Sequence, residues 1–129
     1  MIPLEPRSGG CSVVEGKDIT PAKVKALTDA AEACWNAIMA KDLEGFAASY
    51  RASFEAQVAM FPGMVHPLLS DGTTTEAVVE AIRQCSQTPD VLAWKMPGAG
   101  GGGYLALVVR DTESFCVAHP DAISLRIRR

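Results

Sequence analysis

A run of glycines at residues 98–103 constrains the fold of this chain more than any other feature. It reads Gly-Ala-Gly-Gly-Gly-Gly and holds five of the eleven glycines in the sequence. The flanking segments, 91–96 and 104–109, are rich in β-branched, aromatic and aliphatic residues and are therefore predicted to be buried strands. A flexible linker would have polar flanks, whereas these glycines interrupt a core hairpin. Because glycine lets a backbone approach a ligand closely, the free N–H groups of the loop are candidates for anion contact.

The composition indicates one globular domain over residues 1–129. Apolar residues make up 48% and charged residues 21% of the chain, so a packed core is expected and disorder is not. The net charge is −3, and no basic patch stands out before Arg126, Arg128 and Arg129, so nucleic acid is not an expected partner. No apolar stretch is long enough to span a bilayer and no signal-peptide pattern is present, so we expect a cytoplasmic protein without a membrane partner.

The four cysteines, at positions 11, 34, 85 and 116, form neither a metal-binding nor a disulfide pattern. No pair has C-x-x-C spacing, and only two histidines, His66 and His119, accompany them. We therefore expect no metal site, and we interpret Cys34 and Cys85 as buried free thiols on helix faces. Neither histidine has a visible base partner, and no residue of the chain is expected to be catalytic.

Two long helices are predicted to form an antiparallel helical hairpin. Thr20 is a suitable N-cap and Pro21 a suitable first helical residue, so the first helix begins there and runs to about Ala40. Asp42 caps the second helix, whose aromatic stripe continues to a stop at Pro62. The tight connection between the helices makes them neighbours.

The remaining elements are a third helix, the glycine hairpin, a short helix and a last strand. Residues 73–76 read Thr-x-x-Glu, a capping box that predicts a helix start at Thr73. Asp111 or Thr112 begins the short helix, which Pro120 ends. Alternating apolar residues over 123–127 predict the half-exposed last strand.

The chain thus divides into three parts within one domain. Residues 1–17 are an extended lead-in, with a candidate edge strand at 11–14. Residues 18–86 are the helical part, and residues 87–129 hold the glycine-loop hairpin, the short helix and the last strand. Without the added helices, this order is the split β-α-β-β-α-β layout. We therefore expect an α+β fold, a ferredoxin-like sandwich with helices on one face of an antiparallel sheet, elaborated by the helical hairpin.

The glycine run does not match the common nucleotide-binding motifs. No Gly-Lys-Ser/Thr follows it, as a Walker A loop requires. A dinucleotide-binding fingerprint leads from a strand into a helix, whereas here a strand follows the loop.

The string from Trp94 to Val109, WKMPGAGGGGYLALVV, resembles the C-terminal glycine motif of the GHMP kinases. This superfamily contains galactose, homoserine, mevalonate and phosphomevalonate kinases. The four consecutive glycines and the following aromatic residue are most similar to the sugar kinases that act on heptose and fucose. The resemblance covers roughly residues 20–129, and the ferredoxin-like layout agrees with the C-terminal domain of that family.

The resemblance implies a place for the loop at an active site between two domains. One wall of the substrate and phosphate site would be formed by Gly98, Ala99, Gly100, Gly101, Gly102 and Gly103. Lys95 and Tyr104 would be flanking contacts. For the intact kinase it implies ATP and Mg²⁺ as cofactors and a sugar as substrate.

The family's ATP-binding loop, P-x-x-x-G-[LI]-x-S-S, has no counterpart in residues 1–90. Phosphoryl transfer needs phosphate positioning, a metal ion and an oriented nucleophile. We therefore expect that the chain alone binds neither ATP nor Mg²⁺ and is inactive. Its partner would be the missing N-terminal kinase domain, in the same or a separate chain. An apolar docking surface is expected around Met60, Phe61, Met64 and Trp94.

Two alternatives to a kinase domain remain open. In the first, the chain is a stand-alone module that binds a small molecule or regulates another protein, since fold does not fix function. Otherwise it is a separate subunit that completes a kinase in trans. An independent binder would have a closed polar surface and a self-contained pocket.

Overall fold

A computed structural model describes residues 1–6 and 12–125, which form an α+β structure, as expected. The three strands make one antiparallel sheet in the order β1-β3-β2. The elements are β1 (Ile2–Pro3), α1 (Pro21–Ala40), α2 (Leu43–Met60), a short 3-10 helix (Pro62–Met64), α3 (Ala77–Ser86), β2 (Val91–Lys95), β3 (Tyr104–Val109) and α4 (Thr112–Ala118).

Local side-chain caps set the ends of the helical hairpin where they were predicted. The Thr20 side chain accepts a hydrogen bond from the backbone N–H of Lys23, and that of Asp42 accepts one from Gly45. Between the two helices, Lys41 takes a left-handed conformation with φ 56° and ends α1. Each cap satisfies an N–H group that the first helical turn leaves without a partner.

The helices and the sheet form layers in which α1 is outermost. Helix α1 packs along α2, and α2 packs on β2, which α3 also contacts. The contact face of α1 is narrow and consists mainly of small residues, with Ala30 and Ala37 buried and Leu27 and Cys34 half-buried. The opposite side of α1 faces solvent.

The hydrophobic core lies between the sheet, α2, α3 and the 3-10 helix. Leu105 of β3 and Met96, which follows β2, are almost fully buried. Phe54 of α2, Met64 of the 3-10 helix and Val78 of α3 pack in the same cluster. The strands that flank the glycine loop are therefore core strands, which confirms the hairpin read from the sequence.

The predicted start of the third helix at Thr73 is wrong. Both the hydroxyl and the backbone N–H of Thr73 donate to the carboxylate of Asp71, at 2.6 and 2.9 Å. This Asx turn competes with the helix for the same groups. Helix α3 instead begins at Ala77, whose N–H donates to the hydroxyl of Thr75.

The predicted first strand is displaced, and the predicted last strand is wrong over its described residues, 123–125. The lead-in strand is β1 at Ile2–Pro3, whereas Ser12 makes only an isolated bridge with Leu68. Cys11 and residues 126–129 lie outside the described residues. Residues 123–125 are not in a strand, but Ile123 and Met1 exchange two backbone hydrogen bonds, of 2.6 and 2.7 Å. Ile123 therefore pairs with Met1, the residue before β1, without forming a regular strand there.

Candidate functional site

The glycine loop folds back against the protein, and its shape depends on residues without a Cβ. All five of its glycines have positive φ. A Cβ on Gly100 would lie 2.9 Å from the Cα of Met64, closer than side chains tolerate. At Gly98, φ is 71° and a Cβ would meet nothing within 4 Å. Gly100 therefore serves close packing inside the protein, whereas Gly98 leaves the outer surface of the loop open.

Three hydrogen bonds anchor the base of the loop. The N–H of Gly101 donates to the carbonyl of Met64 at 2.8 Å, and the N–H of Gly103 donates to the carbonyl of Glu5 at 3.0 Å. The N–H of Leu4 donates back to the carbonyl of Gly103 at 2.8 Å. These bonds tie the loop to the 3-10 helix and to the segment after β1, so the loop is held in one place despite its glycine content.

The tip of the loop is the part that remains accessible. Gly98 and Ala99 are exposed. Within the described part of the chain, no acceptor receives the N–H of Gly98, Ala99 or Gly102. Free backbone N–H groups in a glycine turn are suited to contact an anion.

The two residues predicted to flank the loop lie on the same face of the hairpin. Lys95 pairs with Ala106 across the strands, and Tyr104 lies two residues before Ala106. Since side chains alternate along a strand, Lys95 and Tyr104 project to the same side. Tyr104 is 42% exposed, whereas Lys95 extends toward α2.

Lys95 joins a polar cluster that the sequence did not reveal. Its ammonium Nζ donates to the hydroxyl of Ser53 at 2.9 Å and lies 5.7 Å from the ring centroid of Tyr50. Ser53 is buried, and its hydroxyl donates to the carbonyl of Tyr50 at 2.8 Å. Burial lowers the pKa of Lys95, and burial together with the nearby Cys34 thiol raises the pKa of Tyr50. The cluster thus holds a half-buried cation against α2.

The only sequence signal for this cluster is the pair of serines on α2. Ser49 and Ser53 are four residues apart and therefore share one helix face. Both are buried, and the hydroxyl of Ser49 donates to the carbonyl of Gly45 at 2.8 Å. Buried serines in an apolar stripe mark a polar contact, but the spacing does not identify Lys95 as the partner.

A groove beside the loop is lined in part by acidic side chains. It has a volume of about 460 Å³ and lies between residues 4–6, α3 and Gly101–Gly102. Glu5 and Glu80 both line it. Hydrogen bonds from Arg83 and Gln84 lower the pKa of Glu80 to about 2, so this side chain is ionised at neutral pH. These carboxylates disfavour a phosphate in the groove, and an anion is better accommodated at the loop tip.

The histidines and cysteines do not converge on a single centre in the part of the chain that the structure describes. No group of three or more His, Cys, Asp or Glu side chains is arranged there to hold a metal ion. His66 contacts Glu76 at 3.1 Å, and His119 stacks on Phe115. Cys85 is buried, as expected, and burial raises its pKa, whereas Cys34 is half-buried.

The expected apolar docking surface is wrong for Met60 and Met64, whereas Phe61 and Trp94 are partly exposed and Trp94 lines an open, mostly apolar groove. Met60 and Met64 are each only 4% exposed, and both Phe61 and Trp94 pack against the core. Met64 is buried where the 3-10 helix contacts α2 and accepts a hydrogen bond from the glycine loop. The exposed large apolar residues instead include a group on α1 and the start of α2, namely Val24, Trp35, Ile38, Met39 and Leu43.

The exposed apolar residues of α1 lie away from its contact with α2. Helix α2 covers only the side of α1 that carries Ala30 and Ala37. Trp35, on another side, is 62% exposed. The outer face of α1 therefore has apolar side chains with no partner among the described residues.

Comparison of the chain with models of protein families, with curated proteins and with solved structures gives no significant match. Among the described residues, no helix is both long enough and apolar enough to cross a membrane.

Proposed function

We propose that this chain is the C-terminal domain of an ATP-dependent sugar kinase of the GHMP type, with residues 98–103 as one wall of the substrate and phosphate site. The observation that carries the proposal is the anchored glycine loop with an open tip. Its base is bonded to Met64 and Glu5, while Gly98 and Ala99 remain exposed. A fixed loop with free N–H groups can position a phosphate or a substrate without reorganising during the reaction.

The role of the loop is to approach and position the substrate or phosphate, not to transfer protons. Its side chains carry no titratable group, so its contacts come from backbone N–H donors and from close packing. Lys95 adds a cation at the end of β2, although its ammonium is held by Ser53 at 2.9 Å. Both Lys95 and Tyr104 border the loop on one face of the hairpin, consistent with flanking contacts to a ligand.

ATP and Mg²⁺ belong to the missing N-terminal kinase domain in this proposal. The donor set of this chain fits one part of that assembly, because the N–H groups at the loop tip suit an anion. ATP would supply the phosphoryl group and the metal would neutralise its charge. The carboxylates of Glu5 and Glu80 make the neighbouring groove unsuitable for phosphate. A cytoplasmic location, where ATP is available, is part of the same proposal.

The ferredoxin-like architecture is also part of this proposal. It is supported by the strand order β1-β3-β2 with antiparallel neighbours, which is the order of three strands in such a sheet. The two hydrogen bonds between Met1 and Ile123 are those of an antiparallel pair.

The test is phosphoryl transfer with and without the proposed partner. The chain would be assayed with ATP, Mg²⁺ and a panel of monosaccharides, first alone and then joined to, or mixed with, the polypeptide encoded directly upstream of Met1. We expect no turnover by the chain alone and sugar phosphorylation by the combined protein. An upstream polypeptide without a P-x-x-x-G-[LI]-x-S-S loop, together with no turnover in any combination, would contradict the proposal and favour the stand-alone binding module.

The same assay separates a covalent domain from a subunit acting in trans. If the two polypeptides are separate, activity should rise with the concentration of this chain and saturate at equimolar mixing. If they are one protein, the joined form should be active at any dilution.

A further inference from the structure

A second cavity lies between α2, β3 and α4. Its volume is about 430 Å³, within the range of small-molecule sites. Most of its surface is apolar. The side chains that give it this character are Phe46, Tyr50, Leu107, Val109, Phe115 and Ile123.

Lys95 does not itself line this cavity, but two of the residues next to it do. Tyr50 lines the cavity, and its ring centroid is 5.7 Å from the ammonium of Lys95. Ala106 also lines the cavity and is the cross-strand partner of Lys95. Two neighbours of the lysine are therefore cavity walls.

The charge of Lys95 is not neutralised by the side chains around it. An ammonium has three donors, and Ser53 accepts from one of them. Across residues 1–6 and 12–125, no carboxylate lies within ion-pair distance of Lys95. The arginine at the end of β3, Arg110, is already paired with Glu44 at 2.8 Å. A half-buried cation that lacks a counter-ion attracts an anion from outside.

We propose that this cavity binds an amphipathic carboxylate, with the apolar body between α2, β3 and α4 and the carboxylate on Lys95. Charge complementarity selects the ligand class, because the cavity supplies apolar walls and Lys95 supplies one positive charge. A neutral hydrocarbon leaves the ammonium without a counter-ion. A phosphate without an apolar body leaves the apolar walls of the cavity in contact with water. The cavity shares no lining residue with the glycine loop, but Lys95 is also a flanking contact in the proposed kinase site, so the two proposals have this one residue in common.

The test uses decanoate and decan-1-ol as probes, below the micelle concentration of decanoate, with binding measured by isothermal titration calorimetry. Lys95→Met removes the charge and keeps a flexible apolar side chain of similar length. Lys25→Met is the matched control, because Lys25 is an exposed lysine on α1 that pairs with Asp29. Ala106→Leu fills the cavity without changing any charge.

We expect decanoate to bind the unmodified chain at one site, and Lys95→Met to weaken this binding at least about tenfold, the loss of a charge-assisted contact. Decan-1-ol should bind more weakly than decanoate and be insensitive to Lys95→Met. Ala106→Leu should abolish binding of both probes, and Lys25→Met should change neither.

Several results would overturn the proposal. One is the absence of saturable decanoate binding. Another is an equal effect of Lys95→Met and Lys25→Met on decanoate affinity, and a third is unchanged decanoate affinity in Ala106→Leu. Circular dichroism establishes that each variant is folded, and if Lys95→Met is not, the comparison of Ala106→Leu with the unmodified chain decides. Since neither ATP, sugar nor a partner domain is present, failure here leaves the kinase assay unaffected.

Discussion

Replacement of Gly100 by alanine should destabilise the fold far more than replacement of Gly98. Both glycines have left-handed backbones, with φ 77° and 71°, so the new Cβ is strained at either position. The difference lies in the surroundings. A Cβ at residue 100 meets the backbone of Met64 at 2.9 Å, whereas at residue 98 it meets nothing within 4 Å.

The two costs can be estimated separately. A left-handed φ costs an L residue about 1–2 kcal/mol, which applies to both variants. The contact with Met64 involves backbone atoms that cannot rotate away, and such overpacking adds about 1–3 kcal/mol. Gly98→Ala should therefore lower the free energy of unfolding by about 1–2 kcal/mol, and Gly100→Ala by about 2–5 kcal/mol. The larger loss is a considerable part of the roughly 5–15 kcal/mol that stabilises a typical domain.

Urea denaturation followed by far-ultraviolet circular dichroism measures both values. The unfolding midpoint should fall in the order unmodified chain, Gly98→Ala, Gly100→Ala, with similar m-values. If the two variants are equally stable, the loop is not packed against Met64 and the anchored-loop argument fails.

Three further predictions follow from the caps and the shifted pKa values. Thr20→Ala should cost about 1 kcal/mol in urea denaturation, because it removes the N-cap of α1; an unchanged midpoint would contradict this. The pKa of Glu80 is about 2 in the folded chain against an ordinary 4.5, so its stabilising contribution is complete above pH 4.5 and lost as pH falls toward 2. Glu80→Gln should therefore flatten the acid limb of the stability profile, and an unchanged limb would refute the contact with Arg83. Burial lowers the pKa of Lys95, so the folded chain releases this proton at a lower pH than the unfolded chain does. The cost of burying the charged ammonium therefore disappears as pH rises toward 10.5. Over that rise the stability of the unmodified chain should increase relative to that of Lys95→Met, and a constant difference would argue against the burial.

The features that sequence predicted well are the ones fixed by nearby residues. Thr20, Asp42 and Asp111 each bond to an N–H two or three residues away, so the start of a helix is visible in a short window. A prediction from nearby residues was wrong at Thr73, because the Thr73 hydroxyl donates a hydrogen bond to the Asp71 carboxylate instead of capping the helix. Two short-range motifs overlapped there, and sequence alone does not rank them.

The features that sequence did not predict depend on contacts between distant residues. Lys95 and Ser53 are 42 positions apart, so their hydrogen bond follows from the packing of α2 on β2. Met60 and Met64 look like an apolar patch in sequence, but in the folded chain each is only 4% exposed. The glycine loop was predictable as a hairpin connection, whereas its anchoring to Glu5 required the position of the lead-in.

We propose that the tip of the glycine loop forms part of an active site. The most direct test is the rate of sugar phosphorylation by the chain combined with its ATP-binding partner. The variants to compare are Gly98→Val and Gly72→Val. Gly72 also has a positive φ, 83°, and open surroundings, so it controls for backbone strain. We expect Gly98→Val to lower kcat/KM by about a hundredfold through misplacement of substrate or phosphate, while Gly72→Val retains normal turnover. Equal activity of the two folded variants would contradict the claim.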